Sequence, residues 1–266
     1  MLGLGLSLTV DDFKRVVRYP KAILIGLFIQ MFVLTSICFA ICVALKLPSV
    51  LAVGMMLLAA APGGATANIY SHLAKGDVAL NITLTAVNSV LSLLTLPVIV
   101  GFALQYFMGN EQIVPPPFKK VVEVGVIILG PVLVGMLVRA KAAKFAAKME
   151  MPIRLFSVLL LAGLVIASVA QSWSVVVASF ATVGFACLLF NLASLGVGYA
   201  VPLALKLPKR QAVAIAMEIG IHNGALAIFI AINIVGNKAM SIPAAIYSLV
   251  MFLTAALFAA WLNRGK

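Results

Sequence analysis

Long apolar runs, separated by short polar or charged stretches, order this chain from end to end. A helix needs ~20 residues to cross ~30 Å of hydrocarbon. On that measure the pattern predicts spans at 21–45, 49–75, 78–108, 119–139, 152–171, 174–205, 209–235 and 239–263. The opening stretch Met1–Thr9 is apolar but far too short to cross, and it has neither a basic n-region nor a cleavage site, so no signal peptide is expected. It reads as the tail of a helix, with the start either internal to a longer gene or belonging to a shortened chain.

Composition agrees with lipid as the solvent. Hydrophobic residues are 64% of the 266 positions, against about half in water-soluble domains, and the mean hydropathy is +1.20. A net charge of +12 could point to nucleic acid, but the cations sit in short loops with no aromatic platform beside them. No nucleic-acid partner is expected. The loops instead show an orientation. Lys14, Arg15, Arg18, Lys21, Lys75, Arg139, Lys141, Lys144, Lys148, Arg154, Lys206, Lys209, Arg210, Arg264 and Lys266 fall in one set of alternate loops, and only Lys46, Lys119, Lys120 and Lys238 in the other. Adding or removing one span would scramble that split, so it supports eight whole spans, with the C-terminus cytoplasmic and the chain in the inner (plasma) membrane. Cys38, Cys42 and Cys187 lie inside apolar runs and read as small core side chains.

The chain also repeats itself. Ala44-Leu45-Lys46-Leu47-Pro48 recurs as Ala204-Leu205-Lys206-Leu207-Pro208, and the register continues through Ala52/Ala212, Val53/Val213, Gly64/Gly224, Ala65/Ala225 and Ala67/Ala227. The copies are five predicted spans apart, an odd number, so they should cross in opposite directions, as in the inverted repeats of secondary transporters. Each copy interrupts a span at the matching point, with Ala61-Pro62-Gly63-Gly64 in the first and Gly220-Ile221-His222-Asn223-Gly224 in the second. Such breaks free backbone groups that lipid cannot satisfy. Packing kinks are one reading; a midplane site where half-helix N-termini attract anions and unwound carbonyls bind cations is the other, and two matched breaks favour it.

Glu218 is the only acidic residue deep inside a predicted span, beside the second break. An isolated carboxylate there costs at least ~2.5 kcal/mol, so it should be paired, protonated or metal-bound; a plain hydrogen bond to a neighbouring helix is the alternative. Polar side chains that could join it are Asn68, Asn81, Thr85, Gln30, His222 and Asn223. Asn81 and Thr85 share one helix face, although Asn and Thr also glue membrane helices together, and Gln30 is ambiguous for the same reason. All but His222 offer oxygen, which suits an alkali ion better than zinc. His222 could bind substrate, relay a proton or cap the broken backbone.

The segments LGLGLSLTVDDF, APGGATANIYSHLAKGDVALNITLT and EIGIHNGALA resemble the bile acid:sodium symporter family, and the match extends in order along essentially the whole chain. The resemblance implies an all-α polytopic membrane protein in one transmembrane domain (1–266). Family members have ten helices in a five-plus-five inverted repeat and two crossed broken helices, so the repeats here would be 1–108 (incomplete) and 119–266, with the first helix missing. Core helices would lie at 21–108 and 174–263, and panel helices at 1–9 and 119–171. One or two Na+ ions are implied. The first ion would take Asn68, Asn81, Thr85 and Glu218, with Ala67 where many relatives have Ser; the second would take Gln30, Glu218, the carbonyls of Ile219 and Ile221, and His222 where relatives often have Gln. Gly64, Ala65, Asn223 and Gly224 would line the substrate cavity, with Met251 and Phe252 making it more apolar than in some bacterial relatives.

The function expected is sodium-coupled symport of a small organic anion by alternating access. The alternative is a proton-coupled or exchange carrier of the same fold, relaying through Glu218 and His222. An intramembrane enzyme is the remote reading, since the sequence has no aspartate-rich prenyl-phosphate motif, no HExxH and no Ser/His/Asp set.

Overall fold

In the computed structural model, which describes residues 2–109, 118–171 and 173–264, the apolar runs are helices and the polar stretches are their ends. The short helices α1 (Leu2–Ser7) and α2 (Val10–Lys14) come first. The next span opens on Pro20, whose missing N–H costs nothing in a first turn. It runs through α3 (Pro20–Phe28), a π-helical turn at Ile29–Leu34 and α4 (Thr35–Ala44). Then follow α5 (Ser49–Ala60), α6 (Ala67–Leu73), α7 (Val78–Met108), α8 (Phe118–Lys141), α9 (Ala143–Gln171), α10 (Trp173–Ala204), α11 (Lys209–Gly220), α12 (Gly224–Asn233) and α13 (Ile242–Asn263). The predicted spans 49–75 and 209–235 are therefore each two helices separated by an interruption. Four stretches among the described residues, Pro20–Ala44, Val78–Met108, Ala181–Ala204 and Lys238–Asn263, are long and apolar enough to cross a membrane. The chain is an all-α polytopic membrane protein.

The distribution of side chains follows from a solvent of hydrocarbon. Leu24 and Phe28, Leu94 and Val98, and Leu249, Leu253 and Leu257 are exposed at helical spacing, which gives apolar outward stripes. Polar groups collect inside instead: Gln30, Asn81, Thr85, Asn191, Glu218, His222 and Thr254 are all buried. In the interior α10 packs along α11 and α13, and α5 along α7. The main buried cluster runs from Ala22 to Ala103 and from Val183 to Leu262, while Leu8, Ala86 and Val132 form a separate small one. α1 packs on α8 and α9, and a Cβ at Gly5 would strike the Val132 carbonyl, so a small residue there lets the two backbones approach.

The repeated ALKLP segments have the same local structure. Lys46 (φ 49°) and Lys206 (φ 61°) both adopt the left-handed conformation that ends a helix. In the first copy the Lys46 N–H donates to Val43 O (3.1 Å) and the Leu47 N–H to Cys42 O (3.0 Å); in the second, Lys206 N–H donates to Leu203 O (2.9 Å) and Leu207 N–H to Pro202 O (2.9 Å). Pro48 and Pro208 then cap α5 and α11. Lysine is strained at such a φ, and glycine is not. Lys46→Gly and Lys206→Gly should each stabilise the chain by up to about 1 kcal/mol, read as a raised Tm of the purified protein in detergent; a lowered Tm would show that the lysine side chains contribute more than the turn costs.

Candidate functional site

The two interruptions complete each other. α5 gives way at Ala61 to extended backbone (φ −69°, ψ 142°), and α11 gives way at Ile221 (φ −114°, ψ 89°). The unwound segments lie against each other as an antiparallel bridge between Gly63 and His222. There the Gly64 N–H donates to Ile221 O (2.7 Å) and the Asn223 N–H to Pro62 O (2.8 Å). Backbone groups that hydrocarbon could not satisfy thus find partners in the opposite break. Pro62 contributes no donor that would need one.

Glu218 lies in the last turn of α11, 1% exposed. Its Oε2 accepts a 2.5 Å hydrogen bond from Thr85 Oγ1, while Oε1 has no partner. The carboxylate abuts Gly63 so closely that a Cβ there would fall on it. One turn earlier on α7, Asn81 Nδ2 donates to Ala214 O at 2.7 Å. A carbonyl can only accept, so this bond fixes the amide with Oδ1 turned away, and Oδ1 is buried without a partner. Asn68 Oδ1, on α6, is also buried and unpartnered. Three helices that pack on one another, α6, α7 and α11, therefore each present an oxygen lacking a donor. Leaving such an oxygen bare in a membrane interior is costly. A hard cation takes oxygen ligands of this kind, so the residues present fit one. Ala67, buried at the head of α6, adds no hydroxyl.

Gln30 sits in the π-helical turn of the first span, 3% exposed. Its Nε2 donates to Ala59 O (3.3 Å) and Ala61 O (3.2 Å), the carbonyls freed at the end of α5, and Oε1 is left buried and unpartnered. His222 Nδ1 lies 3.2 Å from the same Ala61 O. Since that oxygen can only accept, Nδ1 carries the proton and Nε2 presents a bare lone pair, again without a partner. Ile221 O is already used by Gly64, leaving its second lone pair, and Ile219 lies in the last turn of α11. Of the residues expected at the substrate cavity, Gly64 and Gly224 are buried, Ala65 is exposed and Asn223 is half-buried. Asn223 Oδ1 caps α12 by accepting from the Leu226 N–H (3.1 Å). Met251 is buried, and Phe252 stacks on Tyr70 with centroids 6.0 Å apart.

The structure adds three residues that the sequence reading did not single out. Asn191 Nδ2 and Tyr247 Oη both donate to Gly220 O (2.8 and 2.9 Å), and Thr254 Oγ1 donates to Asn191 Oδ1. Asn191 is a lone amide in an apolar run, a signal that also marks ordinary helix glue.

Residues 1–179 match the profile of the Sodium Bile acid symporter family. The chain belongs to this family. Among curated relatives, an uncharacterized sodium-dependent transporter of Bacillus subtilis (strain 168) is 28% identical over 264 residues, covering 99% of this chain and 80% of that one. The probable sodium/metabolite cotransporter BASS1, chloroplastic, of Arabidopsis thaliana is 28% identical over 251 residues, covering 93% of this chain and 61% of that protein. The corresponding BASS2 protein of Oryza sativa subsp. japonica is 28% identical over 266 residues, the whole of this chain and 62% of that one. The chain thus spans about three fifths of the plant relatives' length. The matched residues 1–179 hold the first interruption, Gln30, Asn68, Asn81 and Thr85; Glu218 and the second interruption are reached by the pairwise matches.

Proposed function

We propose that this symporter-family member is a sodium-coupled secondary transporter of a small organic anion, working by alternating access, and not an enzyme. The observation that carries the reading is the pair of interruptions hydrogen-bonded to each other beside Glu218, a buried carboxylate with one oxygen unpartnered. In this reading the first sodium ion is held by Asn68, Asn81, Thr85 and Glu218. A second cation position is formed by Gln30, Glu218, His222 and the carbonyls of Ile219 and Ile221. The copies of the repeat are inverted, and the antiparallel bridge between them fits that relation.

Sodium would neutralise Glu218 and tie α7 to α11. That fixes the crossing, and the N-terminus of α12 with Asn223, Gly224, Gly64 and Ala65 then receives the anionic substrate. A core body (21–108 and 174–263) rocks against a panel body (1–9 and 119–171), and Leu8 and Val132 of the panel meet Ala86 of the core in a small cluster apart from the main one. The inward sodium gradient and the membrane potential supply the work, ~2.3 kcal/mol per charge per 100 mV. The C-terminus is cytoplasmic and the membrane is the inner (plasma) membrane.

The test is a thermal-shift screen of small carboxylates, keto- and hydroxy-acids and amphipathic steroid acids with the purified chain. It is run in sodium chloride and in choline chloride at equal ionic strength. A ligand at a hundred times its Kd stabilises by ~2.7 kcal/mol. We expect acids that raise Tm in sodium and not in choline. Equal shifts in both salts, with uptake driven by a pH gradient in sodium-free buffer, would instead select a proton-coupled carrier using the bare Nε2 of His222.

A further inference from the structure

Asn191 repeats, on α10, what Gln30 does on the first span. The repeat register sets Gln30 opposite Phe190, one position before Asn191. Each amide lies on the helix immediately before its own interrupted span. Each turns its nitrogen to carbonyls at the C-terminal end of that span's first half: Gln30 to Ala59 O and Ala61 O (3.3 and 3.2 Å), Asn191 to Gly220 O (2.8 Å). Carbonyls at such an end have lost their intrahelical donors and need others.

The two amides differ in what is left over. Gln30 Oε1 is unpartnered, whereas both polar atoms of Asn191 have partners. The second proton of its Nδ2 goes to Tyr247 Oη (2.9 Å), its Oδ1 accepts from Thr254 Oγ1 (2.5 Å), and Tyr247 gives its own proton to Gly220 O (2.9 Å). Both Asn191 and Tyr247 are 0% exposed. With each of its polar atoms engaged within the protein, the cluster acts mechanically. Its rings reach the site as well. Phe190 stacks on His222 (centroids 5.5 Å, 18° between planes), and Tyr247 stands edge-on to it (5.4 Å, 62°).

We propose that Asn191, Tyr247 and Thr254 are positioning residues for the second cation position. They hold the Gly220 end of α11 and the His222 ring, so that Glu218, the Ile219 and Ile221 carbonyls and the imidazole keep one arrangement toward Gln30. This rests on the sodium reading above. A fully satisfied buried network has one geometry, and a partly satisfied one does not.

Tyr247→Phe removes the hydroxyl and keeps the ring beside His222. The purified full chain is titrated with sodium chloride, choline chloride holding ionic strength, and Tm is followed. The shift grows as RT ln(1 + [Na+]/Kd), and the sodium midpoint, the Kd fitted from it, should rise about fivefold. Thr254→Val should move the same midpoint upward, and Thr254→Ser, which keeps the hydroxyl, should restore it. Variants that lower Tm in choline but leave the sodium midpoint unchanged would overturn the inference and assign the cluster to stability alone, with the wild-type sodium response still standing. A wild-type chain without a sodium response would sink both readings.

Discussion

Glu218→Gln should remove the sodium response of this protein while leaving it at least as stable without sodium. The substitution keeps the shape of the side chain and an oxygen for Thr85, which now bonds Oε2 at 2.5 Å. What is lost is the charge that a cation would neutralise. Removing one partner of a buried ionic contact costs ~3–5 kcal/mol, so the apparent sodium Kd should rise by more than about a hundredfold. In sodium-free buffer the sign reverses, because a carboxylate with Oε1 unpartnered in a membrane interior is itself unfavourable. The Tm in choline should therefore hold or rise. The measurement is the sodium titration of Tm, joined by uptake into proteoliposomes of whichever acid the screen identifies. Sodium-stimulated uptake that survives Glu218→Gln would refute the ion site.

Gly63→Ala tests the same carboxylate from the opposite break. A Cβ at Gly63 would occupy the volume of the Glu218 carboxylate. Gly63 has no positive φ, so the backbone accepts alanine without strain. What must yield is the far end of a flexible side chain, and the fold should survive with a loss of at most ~1–3 kcal/mol. The displaced carboxylate loses its bond to Thr85 and, in the proposed site, the cation it would share with Asn68 and Asn81. Charge-assisted contacts of that kind contribute ~1.5–3 kcal/mol, so sodium affinity should fall by at least about tenfold. Far-UV circular dichroism matching the wild type, together with a shifted sodium midpoint, is the expected pair of results. An unchanged midpoint would mean that the carboxylate where it now lies is not what the cation meets.

Much of this was readable because Pro and Gly cluster at matching points of the two repeat copies, whereas lone prolines such as Pro97, Pro131 and Pro202 lie inside continuous helices. Pro62-Gly63-Gly64 and Gly220 to Gly224 marked the interruptions, and the structure has helix ends at Ala60 and Gly220. The predicted spans likewise fall on helices or on helix pairs across a break. Glu218 stood out because a lone acid among apolar neighbours has few innocent explanations. Other features left no local trace. The π-helical turn around Gln30 has no sequence signature, and it decides which carbonyls the amide meets. The contact between Gly63 and Glu218 and the hold of Asn191, Tyr247 and Thr254 on Gly220 join residues far apart in sequence. An isolated Asn or Tyr in a membrane helix fits many roles until its partner is seen.

The cross-bonded interruptions also constrain biosynthesis. The Pro62 carbonyl waits for the Asn223 N–H, and the Gly64 N–H waits for the Ile221 carbonyl. A ribosome delivers the first of these segments well before the second. Until α11 and α12 leave the translocon, the nascent first half holds an unwound, polar backbone inside the bilayer, shielded only by the translocon, by water or by another polypeptide. Neither half can satisfy its interruption alone, so this crossing forms late in assembly.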